Sequence, residues 1–182
     1  MRLYASVLLL TACTVEPLDS DLGTETETET ETETETETEN APWYCAKAGG
    51  KAEVVDGGFT VQTEHYNLLL EVNSEKEAEE LALLAESAWL AWAAHFEAEP
   101  DVDSPMNASW YSSRERFNAG IRADGAEPPT TAGGYYWPGT KASYLFTQPT
   151  DYYTRVLFLH ELGHQFHLLA RTNNENRDSW YI

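Results

Sequence analysis

Residues 24–39 are eight uninterrupted Thr-Glu pairs, and this repeat limits what the chain can fold into more than any other feature. Alternation at period two is ordinarily a strand signal. Here every second residue is an anion and none is a large apolar group, so nothing offsets the entropy of ordering, and like charges stretch the segment. The repeat cannot enter a core. The chain therefore divides into an N-terminal segment, 1–13, an acidic Thr-Glu spacer, 14–40, expected to be disordered, and 142 residues, 41–182, that must hold any folded domain. Fully extended, the 16-residue repeat reaches about 50 Å, enough for a stalk; neutral repeat expansion is the other reading. Formal charge reinforces the division. The whole chain is −20, from 11 basic and 31 acidic residues, and residues 14–40 carry 11 of those acids with no Lys or Arg. Residues 41–182 keep 20 acids against 10 bases without any basic cluster. Phosphate contact needs concentrated Lys and Arg, so nucleic-acid binding is excluded, as is attachment to anionic lipid through a polybasic stretch.

The start of the chain reads as an address. Met1-Arg2 is followed by the apolar run Leu3 to Leu10 and then by Thr11-Ala12-Cys13. Leu10-Thr11-Ala12-Cys13 resembles the lipobox of bacterial lipoproteins. That resemblance implies cleavage before Cys13, lipid on its thiol, membrane anchoring through the lipid and a place in the cell envelope. An ordinary signal peptide with an incidental Cys is the alternative. No run of 18 or more apolar residues is present to span a bilayer. Lipid on Cys13 leaves Cys45 without a disulfide partner in this sequence.

Within 41–182 the pattern predicts a mixed α+β domain. Phe59 to Thr63 and Tyr66 to Val72 are β-prone, after the turn signal Asp56-Gly57-Gly58. Ser74-Glu75-Lys76-Glu77 is a capping box that opens a helix to about Glu97, with Leu81, Leu84, Ala88, Trp92 and Phe96 on its inner face. Met106 to Tyr111 reads as a strand, and Ser113 starts a short helix carrying Phe117 and Ile121. Gly133 to Phe146 reads as a hairpin, and Asp151 is placed to cap a final helix from about Tyr152 to Arg171.

That last helix carries His160-Glu161-Leu162-Gly163-His164. Residues four apart share a helix face, so both imidazoles can grip one Zn²⁺. Glu161, about 100° around the helix, stands beside such an ion, where it suits proton transfer to and from water rather than ligation. Apolar flanks and the uncharged Leu162-Gly163 suit a helix buried along most of its length. A chance match of His-Glu-x-x-His on a core helix is the bland alternative.

The segment resembles the zincin metallopeptidases, and within them the gluzincin (peptidase-MA-like) branch, chiefly over residues 150–182. The resemblance implies a small mixed sheet, a buried long helix and a C-terminal active-site helix. It further implies Zn²⁺ on His160 and His164, Glu161 as general base, a peptide or protein substrate, and a third ligand from a Glu on a later helix. The metzincin pattern does not fit, since it wants Gly at 167 and His at 170 where His167 and Ala170 stand. His167 lies about 4.5 Å along the axis from His164, which favours a supporting or core role. Glu175 is too close in sequence to double back, and Asp178 reaches only if extended. The aromatic ending Trp180-Tyr181 resembles what precedes the ligand helix in gluzincins, so the sequence is expected to stop just short of its third ligand, as a truncated product. His65 and His95 read as structural, Arg114 and Arg116 as solvent-facing, and Tyr135-Tyr136-Trp137 as hairpin packing or a substrate groove wall. The leading expectation is a zinc-dependent peptidase in an envelope lipoprotein. The rivals are an inactive truncated zincin remnant and a surface interaction module with an accidental motif.

Overall fold

Residue 46 and residues 49–170 are described in a computed structural model of the chain. The first element is a hairpin. Strand β1 (Ala52–Val55) turns through Asp56-Gly57, where Gly57 takes φ +83°, into β2 (Gly58–Gln62), with Val55 opposite Gly58. An L side chain rarely adopts that φ, so the glycine fixes the turn. Strand β3 (Tyr66–Leu70) continues the antiparallel meander. Helix α1 (Glu75–Phe96) follows, capped by Ser74, whose Oγ accepts from Glu77 N at 3.2 Å. The Glu77 carboxylate reaches back to accept from Asn73 N, also at 3.2 Å, so two backbone donors at the helix start are satisfied.

Strand β4 (Met106–Tyr111) runs parallel to β3, and helix α2 (Arg114–Ala123) begins at Ser113. Strands β5 (Gly134–Trp137) and β6 (Ala142–Phe146) form the second hairpin, and β6 inserts parallel to β4. Helix α3 (Asp151–Ala170) closes the described residues. The six strands lie in one mixed sheet, ordered β1-β2-β3-β4-β6-β5.

The fold class is therefore α+β, as the sequence pattern indicates, with three differences of detail. Strand β1 was not anticipated, because Ala52-Glu53-Val54-Val55 is too short to show alternation. Strand β3, expected to run to Val72, ends at Leu70. The N-terminal turn of α3 is capped by Thr150, whose Oγ1 accepts from Tyr153 N at 3.2 Å, and Asp151 lies inside the helix.

Helices α1 and α3 cover one face of the sheet, α1 over β1 to β3 and α3 over β5 and β6. Leu68, Leu70, Ala108, Trp110 and Leu145 point into this layer and meet Leu81, Ala85, Ala88, Phe158, Leu162 and Phe166. Helix α2 covers part of the other face, where Phe117 and Ile121 pack with Tyr111, Ala142 and Tyr144. Phe166 is the hub between the two large helices. It is fully buried, with ring centroids 4.9 Å from Trp89, 5.7 Å from Trp92 and 6.0 Å from Phe96. Truncating it opens a cavity that rigid neighbours cannot fill. Phe166→Ala is expected to cost about 3–5 kcal/mol in urea unfolding; a cost below about 1 kcal/mol contradicts the packing described.

Candidate functional site

Helix α3 is apolar around most of its circumference, so its rotation about its own axis decides which residues reach solvent. Two polar anchors set that rotation. Gln165, fully buried, donates through Nε2 to the carbonyls of Asn107 at 3.0 Å and Lys141 at 2.7 Å. Ser143 Oγ on β6 donates to the Glu161 carbonyl at 3.0 Å. With residues 161, 162, 165 and 166 buried, His160 and His164 are left at the outer side of the helix, His160 exposed and His164 part-buried.

Their rings meet edge to face, with centroids 4.4 Å apart, and their Nε2 atoms are 2.9 Å apart, one ring donating to the other. Two imidazoles on one Zn²⁺ at about 2.0–2.1 Å, with a tetrahedral angle between them, have nitrogens about 3.3 Å apart. The observed pair thus needs to open by only a few tenths of an ångström, within reach of small χ rotations. Partial desolvation lowers the pKa of His160. Burial, followed by the neighbouring His160 and His167, lowers His164 to about 4. Both rings are accordingly neutral near pH 7, the form in which imidazole ligates metals.

Glu161 lies on the side of α3 that faces β5, and only 6% of it is exposed. Its carboxyl occupies space that a side chain at Gly134 would fill, since a Cβ built there falls 2.6 Å from Glu161 Cδ. Burial raises the Glu161 pKa to about 7. The sequence did not single out Gly134, Ser143 or Gln165. Gly133-Gly134 at the head of a strand was the available signal, since glycine there often marks close approach of another group.

The other candidates are placed as follows. His167 packs against Phe96, ring centroids 5.6 Å apart. His65 stacks on Trp89 at 4.0 Å and bonds the buried Glu86 through Nδ1 at 2.6 Å, a structural role. His95 lies edge-on to Phe96. Tyr135 and Trp137 stack with each other on β5. Arg116 is exposed, as expected, and Arg114 is part-buried; the tips of both also find partners. Arg114 lies over the Phe146 ring at 4.6 Å. Arg116 clamps the buried Glu71 with contacts of 2.7 Å. Burial works against ionised Glu71, but bonds from the Ser112 N–H and hydroxyl and from Arg116 hold its pKa below the usual carboxylate value. Cys13, Cys45, Glu175 and Asp178 lie outside the described residues. Among the described residues, no group of three or more His, Cys, Asp or Glu side chains is arranged to hold a metal ion.

Comparison with models of known protein families, with curated proteins and with solved structures finds no match.

Two outcomes follow from this geometry. Ala at position 134 collides with the Glu161 carboxyl. Gly134→Ala should destabilise by about 1–3 kcal/mol, and Glu161→Ala in the same chain should recover most of that loss, because the colliding atoms are gone. Additive costs in the double-mutant cycle contradict the contact.

The second outcome concerns pH in metal-free protein. Glu161, raised from 4.5 to about 7, contributes stability that is complete below the unfolded value and lost as pH rises through about 7. His164, lowered from 6.5 to about 4, contributes stability that is complete above the unfolded value and lost as pH falls through about 4. Between about pH 4.5 and 6.5 the two slopes oppose each other. Glu161→Gln removes one of them, so its urea midpoint in EDTA should climb more steeply with pH than that of the wild type, by about 1–3 kcal/mol across the window. Parallel curves contradict the assignment.

Proposed function

We propose that residues 41–182 form a zincin-like domain that binds Zn²⁺ through His160 and His164 and hydrolyses peptide bonds with Glu161 as general base. In this reading the protein is exported and held at the bacterial cell envelope by lipid on Cys13. The observation that carries the reading is the convergence of two imidazole Nε2 atoms 2.9 Å apart, on a helix whose intervening Glu161 carries a carboxyl that burial brings to a pKa of about 7.

The ion, when bound, supplies an acidified water and polarises a carbonyl oxygen. The chain's own residues do the rest. Glu161, with a pKa near neutrality, accepts the proton of the attacking water and returns it to the departing amine. Gly134 leaves the room that keeps this carboxyl between α3 and β5. Among the described residues, strand β5 ends the sheet and pairs only with β6, so its outer edge can receive an extended peptide by main-chain hydrogen bonding. An antiparallel edge strand beside the motif helix also supports a zincin-like arrangement.

A catalytic zinc takes three protein ligands and keeps one position open. The described residues supply two, so this reading takes the third from outside them. The same shortfall favours a second reading, an inactive domain that holds metal weakly.

Zinc titration of the full chain after EDTA treatment separates the two. Wild type and Glu161→Gln are expected to gain thermal stability with Zn²⁺, about 2.7 kcal/mol at a hundredfold excess over Kd. His160→Ala/His164→Ala is expected to gain none. Glu161→Gln should lower hydrolysis of an unfolded protein substrate by about 10²–10⁴-fold. An equal zinc response in the double-histidine variant overturns the metal site. Zinc binding by a wild type without hydrolysis selects the inactive domain.

A further inference from the structure

Among the described residues, the sheet face opposite α1 and α3 is covered by α2 at one end only. Over its centre lies an open concavity of about 780 Å³, inside the size range of small-molecule sites. Strand alternation and register decide which side chains form its floor. Gln62, Asn67 and Asn107 fall in one row across β2, β3 and β4. Thr60, Leu69, Ser109 and Tyr144 fall in the next row, across β2 to β6.

This floor is unusual for its place in the sheet. Strands in the parallel part of a sheet are ordinarily buried on both faces and apolar on both. Here β3 and β4 present carboxamides and a hydroxyl. An apolar covering layer would leave those groups without partners, at about 1–3 kcal/mol each. The face suits a polar occupant, water or ligand.

One wall is organised in advance. Tyr144 is 1% exposed and donates its hydroxyl hydrogen to Asp124 Oδ2 at 2.6 Å, while Thr140 Oγ1 meets the same hydroxyl at 3.0 Å. The Asp124 carboxylate is thereby oriented with acceptor capacity to spare. On the floor, Asn67 Nδ2 donates to Asn107 Oδ1 at 3.3 Å, and each amide keeps a complementary group for a ligand. Charge is nearly balanced, with Lys51 set against Glu53 and Asp124 along the lining. Tyr135 and Trp137, on β5 beyond Tyr144 and Ala142, pack with the core under α2 and lie outside the lining.

We propose that this concave sheet face is a second site, distinct from the His160–His164 helix, that binds a neutral oligosaccharide. Paired donors and acceptors on the amides, with acceptor oxygens on Asp124, match vicinal hydroxyls, and Leu69 in the floor offers apolar surface to a pyranose ring. A near-neutral lining gives an anionic ligand no counter-charge in a chain of formal charge −20.

The test applies the full chain to an array of neutral hexose and N-acetylhexosamine oligosaccharides of four or more units, with uronic acid oligosaccharides alongside. Retention of a neutral member is expected, with a dissociation constant on the order of 0.1–1 mM. Asn67→Ala/Asn107→Ala should weaken it at least about tenfold. His160→Ala/His164→Ala should leave it unchanged, which separates this site from the proposed metal centre. Should the amide variant fold poorly, amide chemical-shift changes in the wild type on adding the retained sugar provide the second measurement, expected to map to β2, β3, β4 and Asp124. The proposal is overturned by retention of no neutral oligosaccharide, by retention of uronic acid oligosaccharides alone, by unchanged binding in a folded amide variant, or by shifts confined to α3.

Discussion

The proposed metal centre depends on the rotational setting of α3 against the sheet. A helix apolar on nearly all sides has no strong hydrophobic reason to prefer one orientation over another. Polar anchors supply the preference. Gln165 spends both its donors on main-chain carbonyls from β4 and from Lys141 beside β6, and Ser143 holds the Glu161 carbonyl. A turn of about 100° would break all three bonds and bury an imidazole, at about 1–3 kcal/mol for each group left unsatisfied. With the anchors made, Phe166 enters the aromatic nest of α1, and the two histidines come to the outer side.

Three carboxylates among the described residues are buried, and their surroundings sort them into different roles. Glu71 is 7% exposed and gripped by Arg116 and Ser112. Glu86 is 4% exposed and bonds both the ring and the backbone N–H of His65. These two tie elements together, Glu71 joining the end of β3 to α2, Glu86 joining α1 to the start of β3. Glu161 is buried to a similar degree, yet burial alone moves its pKa, and upward. A group held near neutrality in a partly dry setting is suited to proton transfer, whereas a salt-bridged one is suited to structure.

Much of the fold was legible in local signals. Ser74 with Glu77, Ser113 before Arg114, and the Asp56-Gly57-Gly58 turn all act as their residue types suggest, because caps and turns are decided within a few residues. The short β1 strand was not legible, since its existence depends on pairing with β2 rather than on its own composition. The spacing of His160 and His164 was readable because helical geometry alone puts them on one face. What Glu161 faces was not readable. Its nearest constraint is Gly134, 27 residues away in sequence and brought close only by the β5–β6 hairpin. The oligosaccharide floor was equally invisible, because Gln62, Asn67 and Asn107 become neighbours only through strand register. Arg116 is exposed as its type suggests, but its bond to Glu71 was unreadable, because Glu71 lies just past β3, 45 residues away.

X-ray absorption at the zinc edge of the zinc-loaded full chain is the most direct measurement of the central claim. Nitrogen scatterers are expected at about 2.0–2.1 Å with the multiple-scattering pattern of two imidazoles, falling to one in His164→Ala. A coordination shell without imidazole, or one unchanged by that substitution, would contradict it.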